Sequence, residues 1–239
     1  MSRIESGLFL PSEEVVTQLA SLYTAPAPTR RRLLKVLTDL RAEEAPARVV
    51  LRRGAWRLQR RIAAIEANAA EICGFVNNLV PGLLQTADYA RAVFSDGAEM
   101  AAEEVERAVA ARMDRSAVIE AGERTIALVM TEGALRWQAG NARIMVEQLE
   151  RLSQQAREQP RIGVIPWTTP AGIFPTHGFW MYDRRAVVVG TRSATAFITD
   201  PKDVTTYSQL FDQLVSLASF GEEAARIIWR IAEDYRGLL

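Results

Sequence analysis

The sequence predicts an α+β protein: a helical N-terminal half and a C-terminal half built on a small, mostly antiparallel sheet packed with helices. Three observations carry this. Apolar residues recur every three or four positions as far as about residue 121. From Thr125 onward, short β-type runs bounded by turn residues take over. Helical periodicity then returns in the last forty residues or so. With 239 residues, 49% of them apolar, the chain has enough material for one or two domains with real cores.

Element by element, Pro11-Ser12-Glu13-Glu14 opens an amphipathic helix carrying Val15, Val16, Leu19 and Leu22, with Ser12 placed to cap it. The prolines of Tyr23–Thr29 break that helix before a second one, from Thr29 to about Glu44, presents Leu33, Leu34, Leu37 and Leu40. Over Arg48–Val76 the residues Leu51, Ala55, Leu58, Ile62, Ile65, Ala69, Ile72 and Val76 alternate steps of four and three, which predicts one long helix with a narrow apolar seam. Such a seam suits the helix's own domain core and equally a homodimeric coiled coil. Cys73 falls on this seam, where a buried, inert thiol is expected.

Val80-Pro81-Gly82 interrupts the pattern, and helices are expected over Leu83–Phe94 and Glu103–Ala121. Strands are expected at 125–130, 161–165, 178–182, 186–189 and 194–198, and helices at 141–158, 201–218 and 222–236. The links 183–185 and 190–193 are short enough for hairpins. The domain boundary is placed between residues 45 and 46.

Composition narrows function. The chain carries 29 basic and 29 acidic residues, but residues 1–61 hold twelve basic against six acidic and residues 62–239 the reverse excess. A basic front segment beside an acidic body separates two electrostatic tasks. A single cysteine excludes a disulfide framework and paired-thiolate zinc sites, in keeping with a reducing, cytoplasmic compartment. No apolar run reaches the ~18–20 residues of a membrane span, so no membrane partner is expected. The usual nucleotide, hydrolase and metalloprotease motifs are missing, and neither a metal nor a cofactor is expected.

The segment Pro166–Asp183 concentrates Trp167, Phe174, His177, Phe179, Trp180 and Tyr182. Strand alternation sends Phe179 and Met181 to one face and Trp180 and Tyr182 to the other. The rings either cover the sheet or, with Trp167, Phe174, His177, Trp180 and Tyr182, line a site for a small apolar ligand. Pro81-Gly82 either fixes a bend or, with Gln85 and Tyr89, forms part of a ligand or partner surface. The enzymatic alternative is a small biosynthetic enzyme acting on an apolar metabolite, with His177 and Asp183 as its acid/base pair. Carboxylates at apparent helix starts, such as Glu103-Glu104 and Glu222-Glu223, complement helix dipoles.

Two stretches carry a resemblance. Ser2-Arg3-Ile4-Glu5-Ser6-Gly7, followed by Pro11-Ser12, resembles the end of the recognition helix and the next loop of lambda-repressor-like (XRE-family) helix-turn-helix domains. Val80-Pro81-Gly82-Leu83-Leu84-Gln85-Thr86-Ala87-Asp88-Tyr89-Ala90-Arg91 is similar to the signature of the uncharacterised domain that follows the helix-turn-helix in actinobacterial WhiJ-like regulators. The order of the downstream elements resembles that domain as well.

The resemblance implies a transcriptional-regulator-like, antitoxin-like protein: residues 1–45 a truncated helix-turn-helix remnant, residues 46–239 a domain that senses a small ligand or a small partner protein. Only Ser2 and Arg3 match positions that touch DNA. A complete reader needs two further helices and the first turn of the recognition helix. DNA is therefore expected as a partner only with a longer N-terminus; either Met1 is an internal start or direct readout has been lost.

Overall fold

The computed structural model describes residues 11–43, 55–95, 100–120, 124–191 and 195–239. The chain forms two compact units, Met1–Val49 and Val50–Leu239.

In the first unit, α1 (Glu13–Leu22) packs on α2 (Ala27–Glu43). Ser12 Oγ accepts from the Val15 N–H at 3.2 Å, and Glu13 and Glu14 occupy the positive first turn. Ala20 and Leu37 are buried.

The second unit runs α3 (Ala55–Asn68), β1 (Glu71–Val76), a 3-10 turn (Gly82–Leu84), α4 (Ala87–Ser95), α5 (Ala102–Glu120), β2 (Thr125–Thr131), α6 (Glu132–Arg136), α7 (Ala142–Glu158) and β3 (Ile162–Ile165). It continues through β4 (Phe179–Tyr182), β5 (Ala186–Gly190), β6 (Thr195–Ile198), α8 (Pro201–Leu217), β7 (Ser219–Phe220) and α9 (Gly221–Arg236). The seven strands form one mixed sheet in the order β6-β5-β4-β1-β2-β3-β7. β1, β2 and β3 are parallel, whereas β4, β5, β6 and β7 join antiparallel, so four of the six pairings are antiparallel.

Helices cover both faces of the sheet. On one, Ile72, Leu128, Met130, Val164 and Tyr182 pack against the 3-10 turn, α4, α7 and α9 through Leu83, Tyr89, Leu149 and Ile228. On the other, Cys73, Phe75, Val129, Phe179 and Met181 pack against α8 through Val204, Phe211 and Leu214. A smaller cluster of Ala90, Val105 and Val109 joins α4 to α5. The strand alternation expected at 179–182 holds: Phe179 and Met181 face α8, while Trp180 and Tyr182 face the opposite layer.

Two expectations fail, the smaller being the helix expected over Leu83–Phe94, which starts only at Ala87 after the 3-10 turn Gly82–Leu84. The long helix predicted over Arg48–Val76 ends at Asn68, and Glu71–Val76 is the central strand of the sheet; residues 48–54 lie outside the described residues. The reason is burial on both sides. A strand covered by helices on two faces is apolar throughout rather than alternating, and Ile72–Phe75 are all buried. Ala69, Ile72 and Val76 merely continue the helical spacing by coincidence. The continuous seam that would support a coiled-coil dimer therefore stops before residue 71, and Cys73 is buried on a strand instead of a helix.

Close approach fixes the next strand. A β-carbon on Gly178 would lie 2.9 Å from the Phe75 carbonyl oxygen, which belongs to the backbone of β1 and has no room to move. The β4–β5 hairpin then turns through Asp183 and Arg184, at φ +51° and +50°. Residues 183–185 form a three-residue link between the paired Tyr182 and Ala186, and its two left-handed residues reverse the chain within that span. The Arg185 N–H closes the turn on the Tyr182 carbonyl at 2.9 Å.

Candidate functional site

The aromatic segment starts at the carboxyl end of β3. There Trp167 is 66% and Phe174 82% exposed. The Trp167 N–H donates to Glu132 Oε2 at 3.0 Å, and the Arg136 guanidinium lies 5.5 Å from its ring centroid. His177 is held at both nitrogens: Nε2 lies 2.9 Å from Tyr207 Oη and Nδ1 3.1 Å from Thr176 Oγ1. Tyr207 in turn meets Phe179 edge-on, with centroids 4.9 Å apart.

Trp180 and Tyr182 belong to the opposite face of the sheet and are packed into its core. Asp183 stands at the far end of β4 from His177, and that four-residue strand alone spans about 13 Å. Asp183 Oδ1 accepts from the Ala70 and Glu71 N–H groups at 2.8 and 2.9 Å, while its own N–H donates to the Glu71 carbonyl. The structure thus separates the sequence-predicted set into an exposed group (Trp167, Phe174), a fixed imidazole (His177), core side chains (Trp180, Tyr182) and a backbone clamp (Asp183).

Gln85 and Tyr89 come together inside a buried polar network. The Val80 N–H donates to Tyr89 Oη at 3.2 Å, and Gln85 Nε2 donates to the Val80 carbonyl at 2.7 Å. Gln148 of α7 completes the turn: its Oε1 accepts from the Thr86 N–H at 2.7 Å and its Nε2 donates to the Leu84 carbonyl at 2.8 Å. These bonds satisfy the backbone of a non-helical stretch buried under two helices, where an unmade bond costs about 1–3 kcal/mol. Burial pushes the Tyr89 phenol above its ordinary pKa. On the outer side Gln85 Oε1 accepts from Arg112 Nη1.

Sequence reasoning missed a cavity of about 300 Å³ between the sheet and α8. Its walls include Cys73, Val129 and Phe211, and its rim carries Glu71, Arg184 and Asp212. It opens near the amino ends of the parallel strands, away from the carboxyl-end crevice that open α/β sheets usually use. Arg184 reaches from the β4–β5 turn to Asp212 of α8 at 3.0 and 3.2 Å, and to Glu71 at 3.5 Å, so one guanidinium ties the rim together. The sequence signal was faint: Glu71, Arg184 and Asp212 are far apart in the chain and meet only through β1's central place.

Cys73 lies in this wall with 1% of its surface exposed. Burial, reinforced by the Glu71 charge, pushes its thiol up to about 12. A thiolate is the reacting species, so alkylation by iodoacetamide at pH 8 is expected to be at least ~100-fold slower in the native protein than in denaturant, as read by mass spectrometry. The thiol's folded pKa exceeds its unfolded one. Its contribution to stability is therefore complete below about pH 9 and is lost as pH rises towards 12.

Among the described residues, no group of three or more His, Cys, Asp or Glu side chains is placed to hold a metal ion. None of the described helices is long and apolar enough to cross a membrane. Ser2 and Arg3, the sequence-predicted DNA contacts, lie outside the described residues. A family model described as "Domain of unknown function (DUF5753)" matches residues 59–230. No curated protein and no solved structure matches.

Proposed function

The chain belongs to the DUF5753 family, and from that premise we propose that it is a cytoplasmic, regulator-like protein whose C-terminal domain binds a small, largely apolar ligand. The observation that carries this reading is the cavity under α8, where an apolar floor of Cys73, Ala127, Val129 and Phe211 meets charged groups of Glu71, Arg161, Arg184 and Asp212, a combination that can hold and orient a small molecule. The resemblance of Ser2–Ser12 to the end of an XRE-family recognition helix supports a regulatory output. DNA reading by a domain of that kind needs the two helices before the recognition helix, so the DNA arm of this reading applies only to a chain that carries them. A small partner protein, as in antitoxin-like regulators, is the other effector this reading accommodates. No reaction is proposed, since His177 and Asp183 stand at opposite ends of β4 and are each committed to other partners.

The test is to fill the cavity. Ala127 lines it, and Ala127→Leu places a larger apolar side chain in the ligand's space. Saturable one-to-one binding of 1-anilinonaphthalene-8-sulfonate is expected for the native protein, with about tenfold or greater loss in the variant at an unchanged melting temperature. Equal binding by both proteins overturns the assignment of the cavity. For the regulatory output, a gel shift on a chain that carries those helices should show affinity for the DNA upstream of its own gene that falls steeply with salt; no salt-dependent affinity there would overturn direct DNA regulation.

A further inference from the structure

On helix α5, Arg112 and Arg115 stand three residues apart and therefore on one side of the helix. Arg115 is matched within the chain. Its Nε and Nη2 donate side by side to Glu66 Oε2 and Oε1 at 2.8 and 2.7 Å, the planar two-pronged pairing that guanidinium and carboxylate favour. Both groups are buried, and each Glu66 oxygen accepts from Arg115.

Arg112 is built into place just as firmly but paired differently. Nη1 donates to the neutral Gln85 Oε1. The guanidinium carbon lies 4.2 Å from the Phe94 ring centroid, and a β-carbon on Gly82 would sit 3.6 Å from both that carbon and Nε. The 3-10 turn, α4 and α5 thus fix the orientation of the group from three sides. Nε is buried and has no hydrogen-bond partner.

Burial, followed by repulsion from Arg115, lowers the pKa of Arg112 to about 9, so it is still a cation at neutral pH. A desolvated cation with an unused donor is a costly arrangement for folding alone. Its unused edge, Nε with the adjacent Nη2, is the same edge that Arg115 presents to Glu66.

We propose that the Nε/Nη2 edge of Arg112 is a binding site for the carboxylate of a small acidic ligand, completing from outside the pairing that Glu66 supplies to Arg115 from within. Gln85 and Phe94 hold the guanidinium so that the incoming carboxylate meets a preoriented fork. The proposal is independent of the cavity under α8 and assigns a role to the Val80–Tyr89 turn, whose Gln85 sets the angle of the arginine.

The experiment is a titration of the full chain, labelled with ¹⁵N in its arginine side chains, with formate and with acetate, following the Arg112 Nε–H resonance by NMR. Sodium chloride at matched ionic strength provides the comparison. Saturable movement of that resonance with both carboxylates, but not with chloride, is expected. Arg112→Lys keeps the charge without the fork and should weaken formate binding by about tenfold or more, as expected for one charge-assisted hydrogen bond; Arg112→Gln should abolish it. Ala127→Leu should leave it unchanged, which separates this site from the cavity. An unsaturable response, an equal response to chloride, or full retention by Arg112→Gln overturns the proposal. The titration of the unsubstituted protein decides the matter even where a variant does not fold.

Discussion

Replacing Glu66 with alanine is expected to destabilise the protein by about 3–5 kcal/mol, measured by urea unfolding, the largest effect of any single substitution considered. Glu66 is wholly buried and accepts from both Nε and Nη2 of Arg115, so truncation takes the two-pronged carboxylate away from a buried guanidinium in the layer between α3 and α5. The cost comes from leaving the buried charge under-compensated more than from the lost attraction. The double substitution Glu66→Leu with Arg115→Met should accordingly recover most of the stability, since an apolar pair of similar bulk needs no compensation. A double variant as unstable as Glu66→Ala would show that the ion pair itself, and not the avoidance of a lone charge, holds α3 on α5.

Asp183→Ala should cost about 2–3 kcal/mol in the same assay. It removes an acceptor shared by two backbone donors and places alanine at φ +51°. Asp183→Asn keeps an oxygen acceptor and a residue type that tolerates the left-handed region, so its cost should stay below about 1 kcal/mol. The contrast separates a structural clamp from an acid/base group: in a clamp, asparagine substitutes well.

The C-terminal half was legible because its elements follow simple local rules. β2, β3, β5 and β6 are short β-branched runs between turn residues, α7 and α8 begin with capping or proline signals at Asn141 and Pro201, and α9 carries Glu222 and Glu223 in its first turn. β1 was not legible, because a strand buried on both faces has no period of two, and its apolar residues happened to extend the seam of α3. Part of the sheet's layering was visible: Trp180 and Tyr182 were separated from Phe179 and Met181 by alternation alone.

Site chemistry depends on pairings that no local pattern encodes. Clustered aromatic rings were the most conspicuous feature of the sequence, yet Trp167 and Phe174 project outward while Trp180 and Tyr182 serve the core. The cavity gathers Glu71, Arg184 and Asp212 from three distant segments. Arg112 and Arg115 look identical in the sequence, and only the position of Glu66 on a neighbouring helix distinguishes the paired cation from the other.

The central place of β1 also governs the order of assembly. Ile72 is flanked by Ile126 on one side and Tyr182 on the other. During synthesis this strand leaves the ribosome first and must wait for both neighbours, the second of them not made until more than two thirds of the chain has emerged. Pairing between partners so remote in sequence is slow, and the waiting edge exposes Ile72–Phe75 to association with other chains. Any fragment ending before the β4–β5 hairpin carries that open edge permanently. Truncations made to isolate the front of the domain should therefore yield aggregates, whereas chains that reach the hairpin can close the sheet.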